Sequence, residues 1–92
     1  MKPERRTILF SGHVQGVGFR MTVVHLAEDL SIAGAVRNLP DGRVELVVEG
    51  SKNQIDSLIR RLSEHFEGLI RNIQQDVSPM IGIPGSGIRI MH

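Results

Sequence analysis

The run Gly12-His-Val-Gln-Gly-Val-Gly-Phe-Arg20 restricts the possible folds of this 92-residue chain more than any other segment. It contains three glycines, and glycine adopts the positive φ angles of a tight turn without steric cost. The residues before the run follow the period of two that is typical of a strand, and those after it follow the period of a helix. We therefore predict a strand over residues 7–14, a connecting loop, and an amphipathic helix of about three turns that ends near Leu30.

The chemistry of this run indicates an oxyanion site. Backbone N–H groups of a glycine-rich loop that enters a helix can point at one spot, and the helix dipole adds positive potential there. Arg20 supplies a planar guanidinium that matches the oxygens of phosphate. A cation at a helix start opposes the dipole, and a bound anion would offset that conflict. The run therefore predicts phosphate binding, but by itself it does not separate binding from catalysis.

A hairpin is predicted in the middle of the chain. Residues 33–39 and 44–48 have strand-like patterns, and Pro40-Asp41-Gly42 between them has the composition of a turn, because proline presets φ and glycine accepts a positive φ. The remaining predicted elements are a second helix with a capping box formed by Ser51 and Gln54 and an apolar stripe that reaches Phe66, a strand over 69–77 with a bulge between Ile70 and Ile73, a loop over 79–87, and a short strand over 88–90.

The order of these elements predicts the class of fold. It reads β-α-β-β-α-β with an additional strand at the C-terminal end, which is the ferredoxin-like arrangement of the α+β class. We expect a mostly antiparallel sheet with two helices on one face, formed by residues 1–92 as a single domain. This fold carries many functions, so the function has to come from the site.

Composition excludes several classes of function. The chain has no cysteine, which rules out disulfides and thiolate metal sites. It has no apolar run long enough to cross a bilayer and no signal-peptide pattern, so we predict a cytoplasmic protein that does not bind membranes. The formal charge of +1 and only three aromatic residues provide no surface for nucleic acid. The histidines are too scattered to suggest a metal site.

Two motifs together resemble a known family. The run from Gly12 to Arg20 resembles the first signature of the acylphosphatases, and Gly34-Ala-Val-Arg-Asn38 followed by Asp41-Gly-Arg-Val-Glu45 is similar to the second. The likeness extends over nearly the whole chain. It implies hydrolysis of the carboxyl–phosphate bond of small acyl phosphates, with no metal and no cofactor.

The resemblance also implies roles for individual residues. Arg20 and the loop amides would bind the phosphoryl group, and Asn38 would orient the attacking water. These roles are chemically reasonable because carboxylate is a good leaving group, so the protein mainly has to position the substrate and offset charge. An asparagine side chain both donates and accepts hydrogen bonds, which suits it to hold a neutral water. The implied substrate-binding residues are Gln15, Gly16, Val17, Gly18, Phe19 and Arg20.

Several alternatives remain open from the sequence. Asn38 could instead cap the neighbouring turn, and His13 is a possible general base by residue type, although we expect it to be an ordinary loop residue. Arg37 is expected to point to the opposite face from Asn38 if the strand is regular. The chain could also be a non-catalytic module that binds phosphate or a partner, whereas an RNA-binding domain is disfavoured. We expect a monomer.

Overall fold

Five strands and two helices lie within residues 3–92, the part of the chain that this computed structural model describes. In chain order the elements are β1 (Pro3–Gly12), α1 (Phe19–Leu26), β2 (Ile32–Asn38), β3 (Val44–Ser51), α2 (Lys52–His65), β4 (Ile70–Ser78) and β5 (Gly87–Met91). The strands form one sheet in the order β4-β1-β3-β2-β5, and every neighbouring pair is antiparallel except β2 and β5. The predicted ferredoxin-like α+β fold is thereby confirmed.

One hydrophobic core lies between the sheet and the two helices. Alternate residues of the strands, such as Ile8, Phe10 and Leu46, are buried against residues of both helices, so both helices lie on the same face. The Phe19 ring stands at the first position of α1, with its centroid 5.0 Å from that of Phe10 and 4.7 Å from that of Phe66. Burial of such a side chain contributes about 1.5–3 kcal/mol, which anchors the end of the glycine-rich run.

The first helix is shorter than predicted. It ends at Leu26, and a turn closed by the hydrogen bond from Leu30 N to the Ala27 carbonyl (3.0 Å) follows it. Arg61 of α2 donates to the Leu26 carbonyl (2.8 Å) and to Asp29 (2.6 Å). The helical spacing of apolar residues extends to Leu30 in the sequence because Leu30 also packs against the core, but it does so from the turn that follows α1.

The first strand begins earlier than predicted because a buried arginine continues it. Arg6 is only 4% exposed, and a charge in that position is tolerated only when it is paired. Its Nη1 donates to Asp56 of α2 (2.7 Å) and to Gln75 of β4 (2.9 Å), and Glu4 accepts from the same guanidinium. The charged residues at the start of β1 do not show the alternation of a strand in the sequence, but in the structure they pair within the sheet.

The sequence predicts a capping box at the start of α2 and a bulge in β4. Ser51 caps α2 as predicted, its Oγ accepting from Gln54 N at 3.4 Å. The Gln54 side chain, however, accepts from Ser31 N (2.9 Å) instead of turning back to the cap, so the reciprocal half of the box is wrong. The predicted bulge in β4 is confirmed, because the pairing with β1 shifts in register at Gly12, leaving Arg71 as the extra residue.

Residues 79–86, hereafter the crossing loop, lead from one edge of the sheet to the other across the face that bears no helix. Glu49 holds this loop: its carboxylate accepts the N–H groups of Ile81 (2.8 Å), Ile83 (2.8 Å) and Gly82 (3.0 Å). These bonds, the one from Ile81 first, and the nearby Arg5 hold the pKa of Glu49 below its ordinary value, although burial opposes them. A segment rich in glycine and proline is therefore tied down by a single buried carboxylate.

Neither helix within residues 3–92 has the length and apolar character needed to cross a membrane.

Candidate active site

A cavity of about 380 Å³ lies at the start of α1. It brings the first sequence motif, from the loop and helix start, against the last residue of β2, which belongs to the second motif. The C-terminal end of the chain closes a further side. The lining residues are Val14, Gly16, Gly18, Phe19, Arg20, Met21, Asn38, Ile90 and His92.

The shape of the loop depends on two glycines. Gly16 and Gly18 have φ angles of 77° and 76°, a region that costs a residue with a side chain roughly 1–2 kcal/mol. A Cβ atom built on either glycine meets no other atom within 4 Å. Both positions therefore need glycine for the backbone conformation and not because the space is filled, which leaves open room beside the loop backbone.

The backbone amides of this loop have no hydrogen-bond acceptor within residues 3–92. Among residues 3–92, no acceptor takes the N–H groups of residues 15–21, and the first helical bond runs from Thr22 N to the Gly18 carbonyl at 3.1 Å. The N-terminus of α1 also has no side-chain cap and no acidic residue in its first turn. Unpaired N–H groups and the positive end of a helix dipole together form an environment suited to an anion.

Two of the six predicted substrate-binding residues do not line the cavity with their side chains. Gln15 Nε2 donates to the carbonyls of Leu39 (2.9 Å) and Arg43 (3.0 Å), so this side chain joins the loop to the β2–β3 hairpin. Val17 packs against the core. Both can serve an anion only through their backbone amides, and Gln15 has a second effect because it sets the position of the loop relative to Asn38.

Arg20 points its guanidinium into the cavity with no carboxylate partner among the described residues. Its one hydrogen-bond neighbour there is His92, whose Nδ1 lies 3.5 Å from Arg20 Nη1. The two residues are separated by 72 positions in sequence, and no motif marks His92. Sequence reasoning therefore missed the second ionisable residue of this cavity, which only the return of β5 to the start of α1 brings into place.

Asn38 is exposed at the end of β2 and lines the cavity. The neighbouring turn is closed without it, because the Asp41 carboxylate accepts from Arg43 N (3.1 Å) and Gly42 N donates to the Leu39 carbonyl (3.1 Å). The first of these bonds also lowers the pKa of Asp41. The turn-capping alternative for Asn38 therefore finds no support in the structure.

Arg37 and His13, the other residues that the sequence suggested for this site, do not line the cavity. Arg37 occupies the opposite face, as predicted, and its Nε donates to Glu45 Oε1 across the hairpin at 2.9 Å. His13 is exposed, its backbone N–H donates to the Leu69 carbonyl (2.8 Å), and it does not line the cavity. Within residues 3–92 no three side chains of the metal-binding types lie close enough together to hold an ion.

Comparison with known proteins identifies the family. The acylphosphatase family model matches residues 6–82, so the chain belongs to the acylphosphatase family. The acylphosphatase of Methanospirillum hungatei is 43% identical over 81 residues, which cover 86% of this chain and 89% of that protein. The crystal structure of the Bacillus subtilis acylphosphatase superposes with a TM-score of 0.82 at 31% identity, covering 97% and 99% of the two chains. An acylphosphatase from Coxiella burnetii gives 0.80 at 32% identity, over 97% and 93%.

Proposed function

We propose that this protein is an acylphosphatase, which hydrolyses the carboxyl–phosphate bond of small acyl phosphates to a carboxylate and inorganic phosphate. One observation carries the proposal: Arg20, Asn38 and loop amides that have no acceptor among residues 3–92 lie around a single cavity. Membership of the acylphosphatase family supports the same reaction. The non-catalytic alternative is not favoured, because it accounts for the anion site but gives Asn38 no role.

The phosphoryl group is bound by the main chain and one side chain. The N–H groups of residues 15–20 and the guanidinium of Arg20 donate to the phosphoryl oxygens, in the place where the helix dipole adds positive potential. These donors are held in position before the substrate arrives, since Phe19 is buried and Gln15 is bonded to the hairpin. Preorganised donors stabilise developing charge without having to reorient during the reaction.

Asn38 orients the attacking water. Its amide accepts one hydrogen bond from the water and can donate another, which fixes the direction of the oxygen lone pair toward phosphorus. The water oxygen bonds to phosphorus, the bond from phosphorus to the carboxylate oxygen breaks, and the electron pair leaves with the carboxylate. A phosphate oxygen takes the proton of the water. The leaving group is a weak base, so the step requires little general-acid help.

The proposed function is tested by release of phosphate from benzoyl phosphate. We expect turnover well above the spontaneous rate, unchanged by EDTA, because the proposed chemistry uses only donors of the protein. The matched control is Arg60→Gln, which removes an exposed arginine of α2 that does not line the cavity. Phosphate binding without turnover would instead establish the non-catalytic module, and activity lost on chelation and restored by metal would contradict the mechanism.

The proposal includes the setting in which the protein works. We infer a cytoplasmic monomer that acts on a small molecule, needs no cofactor and binds neither nucleic acid nor membranes. The formal charge of +1 and the absence of cysteine in the sequence support this inference,. Light scattering of the purified protein and fractionation of cells that express it test the monomeric state and the location.

A further inference from the structure

A second cavity, of about 420 Å³, lies on the face of the sheet that bears no helix. We call it the open-face groove. Its floor is formed by Ala35 and Val47, which are cross-strand partners. Ile83 and Pro84 of the crossing loop form one wall, and Met91 lies at the opposite side. The groove is thus lined largely by apolar side chains although it is open to solvent.

This hollow is held open by the structure around it. Ala35 has a small side chain and lies between Val47 of β3 and Arg89 of β5 in the register of the sheet. The wall above it is fixed, because the Glu49 carboxylate accepts the N–H groups of residues 81–83. A preformed cavity of this size falls within the range of small-molecule sites.

Among residues 3–92, the charges around the groove leave one arginine, Arg89, without a carboxylate partner. Arg37 is paired with Glu45 at 2.9 Å, and Arg5 with Glu49 at 3.3 Å. Arg89 also lines the groove and is exposed, and no carboxylate lies within 4.0 Å of it among residues 3–92. Because the two acidic residues near this cavity are already paired, the groove presents an unpaired guanidinium beside an apolar floor.

We propose that the open-face groove binds a small carboxylate with an apolar tail of about five carbons, with the carboxylate on Arg89 and the tail on Ala35 and Val47. The guanidinium provides charge complementarity for one anionic group, and the apolar floor provides burial for a short chain. One guanidinium that is unpaired among the described residues of the groove does not provide the multiple contacts that a nucleic-acid backbone or an anionic membrane requires.

This site is distinct from the candidate active site. Successive side chains of a strand point to opposite faces; Asn38 lines the cavity at the start of α1, and Arg37 lines the open-face groove. The proposed binding therefore uses none of the residues proposed for hydrolysis and does not rest on the proposed function.

The proposal is tested by titrating the protein with hexanoate and recording backbone amide shifts by NMR. We expect saturable binding, with the largest shifts at Ala35, Val47 and Arg89. Hexan-1-ol, which has the same tail without the charge, should bind at least about tenfold more weakly, since it cannot form the charge-assisted bonds to the guanidinium. Arg89→Gln should weaken hexanoate binding by a similar factor.

Further variants show whether hexanoate occupies the groove or a different part of the surface. Ala35→Leu fills the floor and should abolish hexanoate binding, with folding checked by the dispersion of the same spectrum. Arg60→Gln and Arg20→Gln should bind hexanoate as the wild type does, and Arg89→Gln should hydrolyse benzoyl phosphate at the wild-type rate.

Three results would overturn the proposal: no saturable binding of hexanoate to the wild type, equal binding by Arg89→Gln, or loss of binding in Arg20→Gln, which would place the ligand at the candidate active site. If vesicles containing phosphatidylglycerol bound the wild type while hexanoate did not, the open face would be a membrane surface and not a small-molecule site. None of these results bears on whether the protein hydrolyses acyl phosphates, so this proposal and the proposed function can fail separately.

Discussion

Two glycine-containing loops of this protein present backbone N–H groups, and they differ in what accepts them. In the crossing loop, the amides of residues 81–83 donate to the buried carboxylate of Glu49. In residues 15–20, the end of the glycine-rich loop and the first two residues of α1, hereafter the cradle loop, the amides have no acceptor among the described residues. The protein thus supplies a carboxylate to the amides of one loop, and within residues 3–92 it supplies none to the amides of the other.

The difference shows why only one of these loops is a candidate for substrate binding. A loop whose N–H groups donate to an internal carboxylate gains stability, because buried N–H groups need acceptors. A loop whose amides remain open at a helix N-terminus retains an affinity for anions from outside. Arg20 adds charge beside the open amides, whereas Arg5 beside Glu49 is already paired.

The strongest test of this contrast is the removal of the cation at the cradle loop. Arg20→Gln should lower kcat/KM for benzoyl phosphate by about 10³-fold or more, because the guanidinium offsets the charge on the transferred group. It should also abolish competitive inhibition by phosphate. Arg60→Gln is the matched control and should leave both values unchanged. Retention of phosphate inhibition in Arg20→Gln would mean that the amides alone form the anion site.

Removal of the side chain that we propose to position the water, Asn38, should affect chemistry without affecting anion binding. Asn38→Ala is expected to lower kcat by about 10²-fold, since a misplaced nucleophile has an effect of that order. The inhibition constant of phosphate should remain unchanged, because the amide does not bind the phosphoryl group in the proposed mechanism. Steady-state kinetics with phosphate as inhibitor give both values. A loss of phosphate affinity equal to that of Arg20→Gln would refute the separate roles.

A pair of glycine substitutions compares the two loops directly. Gly18 and Gly85 have φ angles of 76° and 86°, and neither has an atom near a built Cβ. Gly18→Ala and Gly85→Ala should therefore destabilise the fold by similar amounts, about 1–2 kcal/mol each, as measured by urea denaturation. Only Gly18→Ala should lower activity, by roughly tenfold or more as the cradle amides shift. Equal losses of activity would show that global strain, and not the geometry of the cradle loop, is responsible.

The crossing loop should respond to acid through Glu49. The pKa of Glu49 is lowered from its ordinary 4.5, so the ionised form is favoured in the folded state. The resulting stabilisation is complete above about pH 4.5 and is lost as the pH falls through the lower folded-state value. Amide shifts of residues 81–83, followed from about pH 7 to pH 3, should change with a midpoint below 4.5.

Glu49→Gln provides the control for this titration. The neutral amide should show displaced shifts of the crossing loop already at neutral pH and no further change on acidification, while the activity at the cradle loop remains that of the wild type. A wild-type midpoint at or above 4.5, or a titration that survives in Glu49→Gln, would show that Glu49 is not what holds the crossing loop.

The smallest effect is expected for the pH dependence of the reaction. No protein base takes part in the proposed step, so kcat should vary little between about pH 5 and pH 7, and His13→Ala should match the wild type. His92 lines the same cavity, with its Nδ1 3.5 Å from Arg20 Nη1, so His92→Gln is measured beside His13→Ala. A clear inflection in the wild type would contradict the mechanism, and its loss in His92→Gln or His13→Ala would identify the responsible imidazole.

Much of the fold was predictable because its signals are local. The period of two in β1 and β3, the turn at Pro40–Gly42 and the cap at Ser51 depend on residues within a few positions of one another. The failures have a common cause in distant contacts. The sequence pattern could not show that Arg6 pairs with Asp56 of α2. Nor could it show that α1 ends at Leu26, whose carbonyl accepts a hydrogen bond from Arg61.

The candidate site divides in the same way. Gly16, Gly18 and Arg20 lie within one short motif, so their placement around a loop follows from local backbone preferences. The placement of Asn38 in the same cavity was expected from the resemblance to a family, and the structure places it there through the β2–β3 hairpin and Gln15. No local rule predicts contacts between residues so far apart in the chain as Arg20 and His92.

The amino-acid sequence by itself determined the order of strands and helices and the glycine-dependent path of the cradle loop, because hydrophobic periodicity and backbone sterics act over a few residues. Only the tertiary structure decided that the amides of the crossing loop have an acceptor and that those of the cradle loop have none among the described residues. That outcome depends on β3, which places the Glu49 carboxylate under the crossing loop, far from it in sequence. Because a buried charge needs partners, Glu49 accepts the amides of that loop,.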